Sequence, residues 1–222
     1  ELAVLNEMGR ALTTLREEGA IYQTIHQYTS RLMDAKHFFI TLYDFTAGTL
    51  TFPLVYSDQE RVELPSRPLG MGQTDYVIRN RAPLLLSENV QTQMEAKGIT
   101  PMMFRGGQPI QSWLGVPLLY GGEVVGAIVV QSVDTPRLYT EFERDVLTAI
   151  ASQAAIAIEN ARSFKETQRR AERESTINII AQKIQGATSV QGAIQTAIEE
   201  LGRALKAKRT AVKITPKQGH GN

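Results

Sequence analysis

Trp113-Leu114-Gly115-Val116-Pro117-Leu118-Leu119-Tyr120-Gly121-Gly122-Glu123-Val124-Val125-Gly126-Ala127-Ile128-Val129-Val130-Gln131-Ser132 reads as two strands around a tight turn. Both runs are apolar almost throughout. Gly121-Gly122 is a two-residue loop of the kind primed hairpin turns use, because both central residues must take positive φ. The pair is therefore expected to lie centrally in an antiparallel sheet.

Immediately after it, Thr140 with Glu143 three residues on forms a capping box, and Glu141 and Asp145 place negative charge where a helix dipole favours it. No proline follows Tyr139 until Pro216. Leu147, Ile150, Ala154, Ala157, Ala161 and Phe164 alternate three- and four-residue steps and read as a heptad-like seam on a helix running through Glu174 or beyond. The small residues at 154, 157 and 161 would let two helices approach closely, which predicts a parallel homodimer along those six side chains.

Toward the N-terminus, Leu2, Leu5, Met8/Gly9, Leu12 and Leu15 mark one amphipathic helix. Ile21, Ile25, Tyr28/Thr29 and Leu32 mark a second, ending at Asp34-Ala35-Lys36. His37 to Tyr43 and Thr49 to Tyr56 then form a hairpin around Gly48. Gly70-Met71-Gly72-Gln73-Thr74-Asp75 leads into a short helix, Tyr76 to Arg79, and a strand, Pro83 to Leu86. From Ser87 to Ser112 the pattern weakens into a lid-like excursion, and long irregular connections in compact domains are often functional.

The tail repeats the head. Ile194 through Arg209, followed by Thr210-Ala211-Val212-Lys213-Ile214, parallels Ile21 through His37, followed by Phe38-Phe39-Ile40-Thr41-Leu42. Ile177-Asn178 echoes Leu5-Asn6. Two domains of one kind are expected, the second present only as its opening helices and first strand; two unrelated amphipathic helices are the alternative. The expected division is a sensor-like domain over 1–164, a helical coiled-coil linker over 165–186, and a partial second copy with a flexible tail over 187–222.

Composition narrows the function. Apolar residues make up 42% and charged residues 21%, an ordinary balance for a folded chain rather than a disordered one. The net charge is +1, so no global field favours nucleic acid or an anionic membrane, and neither is expected as a partner. Apolar runs such as Leu84-Leu85-Leu86 fall far short of the roughly 18 residues a membrane span needs. Cysteine is absent, which removes disulfides, thiolate nucleophiles and cysteine-based metal sites, and fits a cytoplasmic protein. The chain opens on Glu1 without an apolar leader, which suggests a start inside a longer protein.

Taken together, residues from Leu2 to Phe164 resemble the GAF domain family. The specific pieces are Ser112 to Leu118 with Val124 to Ile128, then Phe142 to Leu147, and Ala151-Ser152-Gln153-Ala154-Ala155-Ile156-Ala157-Ile158-Glu159-Asn160-Ala161, which looks like the closing helix of that family. The resemblance implies an α+β fold: a six-stranded antiparallel sheet with helices packed on one face, a small-molecule pocket on the other, and here a long C-terminal helix. It also implies a role in bacterial signal transduction, with an output domain such as a histidine kinase. Covalent bilin attachment and methionine sulfoxide reduction both require Cys, which is lacking, so no cofactor and no enzymatic activity are expected. The Asn-Lys pair of cyclic-nucleotide-binding members is missing too. The ligand is left as an unknown small molecule, and a ligand-free scaffold of the same fold is the alternative.

Candidate chemistry is sparse. His26, His37 and His220 have no partner at metal-motif spacing, and no Gly-x-Ser-x-Gly elbow occurs, so neither a metal site nor a catalytic residue is expected. His26 is expected on a helix surface. Gly70-Met71-Gly72 before Thr74 could offer backbone N–H groups to an anion, or be a turn with Thr74 or Asp75 as a cap. Tyr43, Tyr56, Met102, Met103, Phe104 and Trp113 either line an apolar cavity with Gly72, Thr74 and Asp75 at its edge, or are core. Arg105 would be the counter-charge for an acidic ligand. Arg203, Lys206, Lys208, Arg209 and Lys213 read as a solvated basic helix end.

Overall fold

In the computed structural model, which describes residues 2–101, 108–186 and 189–204, the chain opens with α1 (Leu2–Thr14) and α2 (Glu18–Leu32). It continues through β1 (His37–Asp44), β2 (Thr49–Ser57), β3 (Glu60–Arg61), β4 (Arg67–Pro68), α3 (Gln73–Asn80), β5 (Leu84–Leu86) and α4 (Val90–Ala96). It closes with β6 (Ser112–Tyr120), β7 (Glu123–Ser132), α5 (Glu141–Gln185) and α6 (Val190–Ala204). Two compact units result, Glu1–Ser163 and Phe164–Asn222. Thr210–Ile214, the expected strand of the second copy, lies outside the described residues.

The strand order is β3-β2-β1-β7-β6-β5, with β4 also on β2, and every pair is antiparallel. The β6–β7 hairpin holds the centre. Gly121 and Gly122 take φ of +58° and +85°, and β7 lies between β1 and β6. Among the described residues the sheet has seven strands where six were expected. Five coincide with strands read in the sequence; the remaining two, β3 and β4, are two residues each, too short for any side-chain period to be read.

Alternation splits the core into two layers. Phe38, Ile40, Leu114, Val116, Ile128 and Val130 face α1, α2 and α5. Phe39, Leu50, Trp113, Ala127 and Val129 face α3 and α4, whose Val77, Ile78, Val90 and Met94 cover them. We call these the proximal and distal faces. One irregularity reverses the alternation: Ile40 pairs with Leu54 but Leu42 with Thr51, so β2 carries an extra residue next to Pro53. A bulge is where proline, lacking an N–H, fits within a sheet.

Helix α5 starts as its cap predicts. The Glu143 carboxylate accepts from the Thr140 N–H at 2.8 Å, and the Thr140 hydroxyl accepts from the Phe142 N–H at 3.2 Å. The Tyr139 hydroxyl donates to the Asp34 carbonyl at 3.0 Å, tying the start of α5 to the end of α2. The helix runs unbroken to Gln185. No helix among the described residues is long and apolar enough to cross a membrane.

The dimer seam needs correction. Leu147, Ile150, Ala154, Ala157 and Ala161 are all buried in the proximal core of their own domain, so their three- and four-residue spacing serves that core and they are unavailable to a partner helix. Of the six, only Phe164 is exposed, at 48%. The small residues at 154, 157 and 161 let α5 lie close to its own domain.

Candidate ligand site on the distal face

Gly70-Met71-Gly72 forms the turn that enters α3, and its N–H groups do converge on a negative charge. The charge is the protein's own. Asp75, fully buried, accepts from the Gly70 N–H at 2.9 Å and the Gly72 N–H at 2.8 Å. Arg67 grips the same carboxylate with both terminal nitrogens, at 2.8 and 2.9 Å. Burial pushes the Asp75 pKa up, but the Arg67 guanidinium and the two glycine amides outweigh it and hold the carboxyl below its usual value. Asp75 thus occupies the place an external anion would take, which decides for the turn reading. Arg79 also donates to the Gly70 carbonyl, and the Thr100 N–H donates to the Met71 carbonyl at 2.8 Å. The strap from Arg67 to Gly72 is therefore pinned to β2, α3 and the segment after α4.

Beneath α3 lies the distal face. Trp113 is 1% exposed, and its indole lies along β6 over Gly115, where an added Cβ would stand 2.2 Å from the ring. Residue 115 must be glycine for the ring to lie flat. Across the ladder from Trp113 and His37 stands Gln131, on the same strand face as Ala127 and Val129. Gln131 is 2% exposed, and its Nε2 is buried with no acceptor among the described residues. Gln73 and Thr74, the first two residues of α3, are buried as well. The Nδ1 of His37 accepts from the Asp58 N–H at 3.1 Å. A few polar groups in an otherwise apolar layer is the usual make-up of a small-molecule site.

The named candidates separate by face. Trp113, Thr74, Asp75 and Gly72 gather around the strap and α3. Tyr43 is partly buried at the edge of the distal layer and meets Phe45 edge-on at 6.3 Å. Tyr56 is on the other side: the bulge at Pro53 turns it to the proximal face, where it stacks on His26 with ring centroids 3.9 Å apart. His26 is accordingly not a surface residue of α2. It is half-buried between Tyr56 and Phe38, and burial lowers its pKa. Met103 and Arg105, with Met102 and Phe104, lie outside the described residues. Among the described residues, no group of three or more His, Cys, Asp or Glu could hold a metal ion.

Gln131 and Gln73 were missed by the sequence reading. Gln131 had a signal: the alternation that assigns Ala127 and Val129 to the core assigns it there too, and an amide at a core position of a central strand calls for a partner. Gln73, at the start of a short helix, carried none.

A GAF domain family profile matches residues 16–159. The fold is similar to the GAF domain of an Acinetobacter phosphoenolpyruvate-protein phosphotransferase, at 20% identity and TM-score 0.60, covering 73% of this chain and 94% of that one. It is also similar to residues 122 to 287 of a methyl-accepting chemotaxis protein, at 14% identity, TM-score 0.57 and coverage of 71% and 98%. A third likeness is to free methionine-R-sulfoxide reductase from Neisseria meningitidis in complex with its substrate, at 14% identity, TM-score 0.57 and coverage of 72% and 89%. At these identities the structures speak for the fold alone, while the profile spans well over half of the sequence: the chain belongs to the GAF domain family.

Proposed function

We propose that this chain is a regulatory module that binds a small molecule on its distal face and passes the ligand state along α5 to an output domain, such as a histidine kinase, in the cytoplasm. The observation that carries the reading is Gln131, whose buried Nε2 has no acceptor among the described residues. A buried donor left unpaired costs roughly 1–3 kcal/mol, and an acceptor oxygen on a ligand would remove that cost. The layer around it supplies the apolar body of a site. The proximal layer on the back of the same sheet takes in Val146 to Ala161 of α5, so a shift of β6 or β7 has a physical path into the helix. The role is regulatory, not catalytic, and needs no cofactor.

Thermal-shift measurements with nucleotides, amino acids and aromatic acids test this. A ligand at a hundred times its dissociation constant should stabilise by about 2.7 kcal/mol. Gln131→Leu is expected to raise the melting temperature of the ligand-free protein and to abolish the ligand-dependent shift. If no compound shifts the wild type, the reading fails. The alternative, a scaffold whose distal layer has closed for good, is favoured by the near-complete burial of Trp113.

Pairing with a second, parallel copy belongs to the proposal, through the outward side of α5 instead of the buried seam. Phe142, Ala149 and Ile156 recur every seven residues there, with Phe142 and Ile156 about half exposed, at 49% and 47%.

A further inference from the structure

The second unit repeats the opening of the first at a fixed offset in the sequence. Adding 172 to Glu18, the start of α2, gives 190, the start of α6. Adding it to Thr14, the end of α1, gives 186, one past the end of α5 at Gln185. Assignments of helix ends scatter by one or two residues, so both boundaries agree. At the same offset Asn6, Gln23, Thr24, Arg31, Ala35 and Lys36 recur as Asn178, Gln195, Thr196, Arg203, Ala207 and Lys208.

An ion pair links the two helices in each unit, at different positions. In the first pair Glu7 on α1 accepts from the Tyr28 hydroxyl at 3.0 Å and pairs with Arg31 at 3.4 Å, both on α2. In the second, the position of Tyr28 is taken by Glu200, which pairs with Lys183 on α5 at 3.0 Å and with Arg203, the counterpart of Arg31, at 2.6 Å. The acid has moved to the second helix and a cation stands on the first.

The apolar faces correspond too, with one difference. Met8, Leu12, Ile21, Tyr22 and Ile25 are buried against the sheet. Their counterparts Ile180, Ile184, Ala193, Ile194 and Ala197 are all apolar, and none is buried. We propose that residues 174–204 are the opening helix pair of a second domain of the same family, and that this face is the docking surface for that domain's antiparallel sheet. A sheet is the partner because the matching face of α1 and α2 is covered by one, and because the sequence after α6 repeats, at the same offset, the stretch that leads into β1.

Melting of the full-length natural protein by differential scanning calorimetry tests this. Two transitions are expected. Leu12→Asp should lower or remove one, and Ile184→Asp the other. The amides of 190–204 should exchange with deuterium at least a hundredfold more slowly in the full-length protein than in the 222-residue chain. The assignment is overturned if Ile184→Asp leaves every transition in place, if exchange is equally fast in both, or if Ile184→Asp halves the sedimenting mass, which would make a second copy the occupant.

Discussion

Without the Asp75 carboxylate, Arg67 and the amides of Gly70 and Gly72 lose a common acceptor in a buried place, and breaking such a pair from one side typically costs about 3–5 kcal/mol. Asp75→Ala should lose stability of that order in urea titrations, and the loss should depend on pH. A carboxyl whose folded pKa is depressed contributes stability that is complete above its unfolded value, near 3.9, and that fades as pH falls through the folded value. The gap between wild type and Asp75→Ala should therefore be flat from neutrality down to about pH 5 and narrow below it. A gap that stays constant into strong acid would mean that the carboxylate is not the acceptor. The sequence left two readings of Gly70-Met71-Gly72 open because an anion and a capping side chain ask for the same donors; only the position of Asp75 in space separates them.

At the level of elements, periodicity carried most of the weight. The β6–β7 hairpin, the two opening helices and the capped start of α5 all have their causes within a few residues, and each formed where its signal lay. Thr140→Val, which keeps the shape and removes the hydroxyl, should cost about 1 kcal/mol as other helix caps do; an unchanged midpoint in thermal unfolding would show that Glu143 alone holds that end. Short elements escaped. Helix α4 offers only Val90 and Met94 to the core, one apolar contact on each of two turns, and no pattern can be counted from two positions. The bulge at Pro53 shows a second limit: alternation from Leu50 and Phe52 assigns Tyr56 to the distal face, and one inserted residue turns it to the other. Strand phase is set by pairing with β1, which no local pattern records.

For the molecule as a whole, a stripe of apolar residues says that a helix is covered without saying by what. Leu147 through Ala161 was legible as a seam, but the sheet of the same domain competes for it and wins, because it is tethered. Ile156→Glu, on the outward side, should leave folding intact and reduce the sedimenting mass to that of a monomer. Ala157→Glu should instead unfold the domain, since it forces a charge into its own core. An Ile156→Glu protein that sediments like the wild type would exclude the outward stripe as the interface. About the site, the sequence could name the strap and Trp113, whose residue types are distinctive, but not Gln131, an ordinary amide made unusual only by what surrounds it.

Trp113 is the sole tryptophan of the chain, and it lies in the layer between the sheet and α3. Indole emission from the unlabelled protein is therefore a local gauge. A compound that enters that layer must change the colour or brightness of this one fluorophore, while a compound lodged in the groove between α1 and α5, lined by Leu12, Gln153 and Ile156, acts from the opposite side of the sheet and should leave the spectrum as it was.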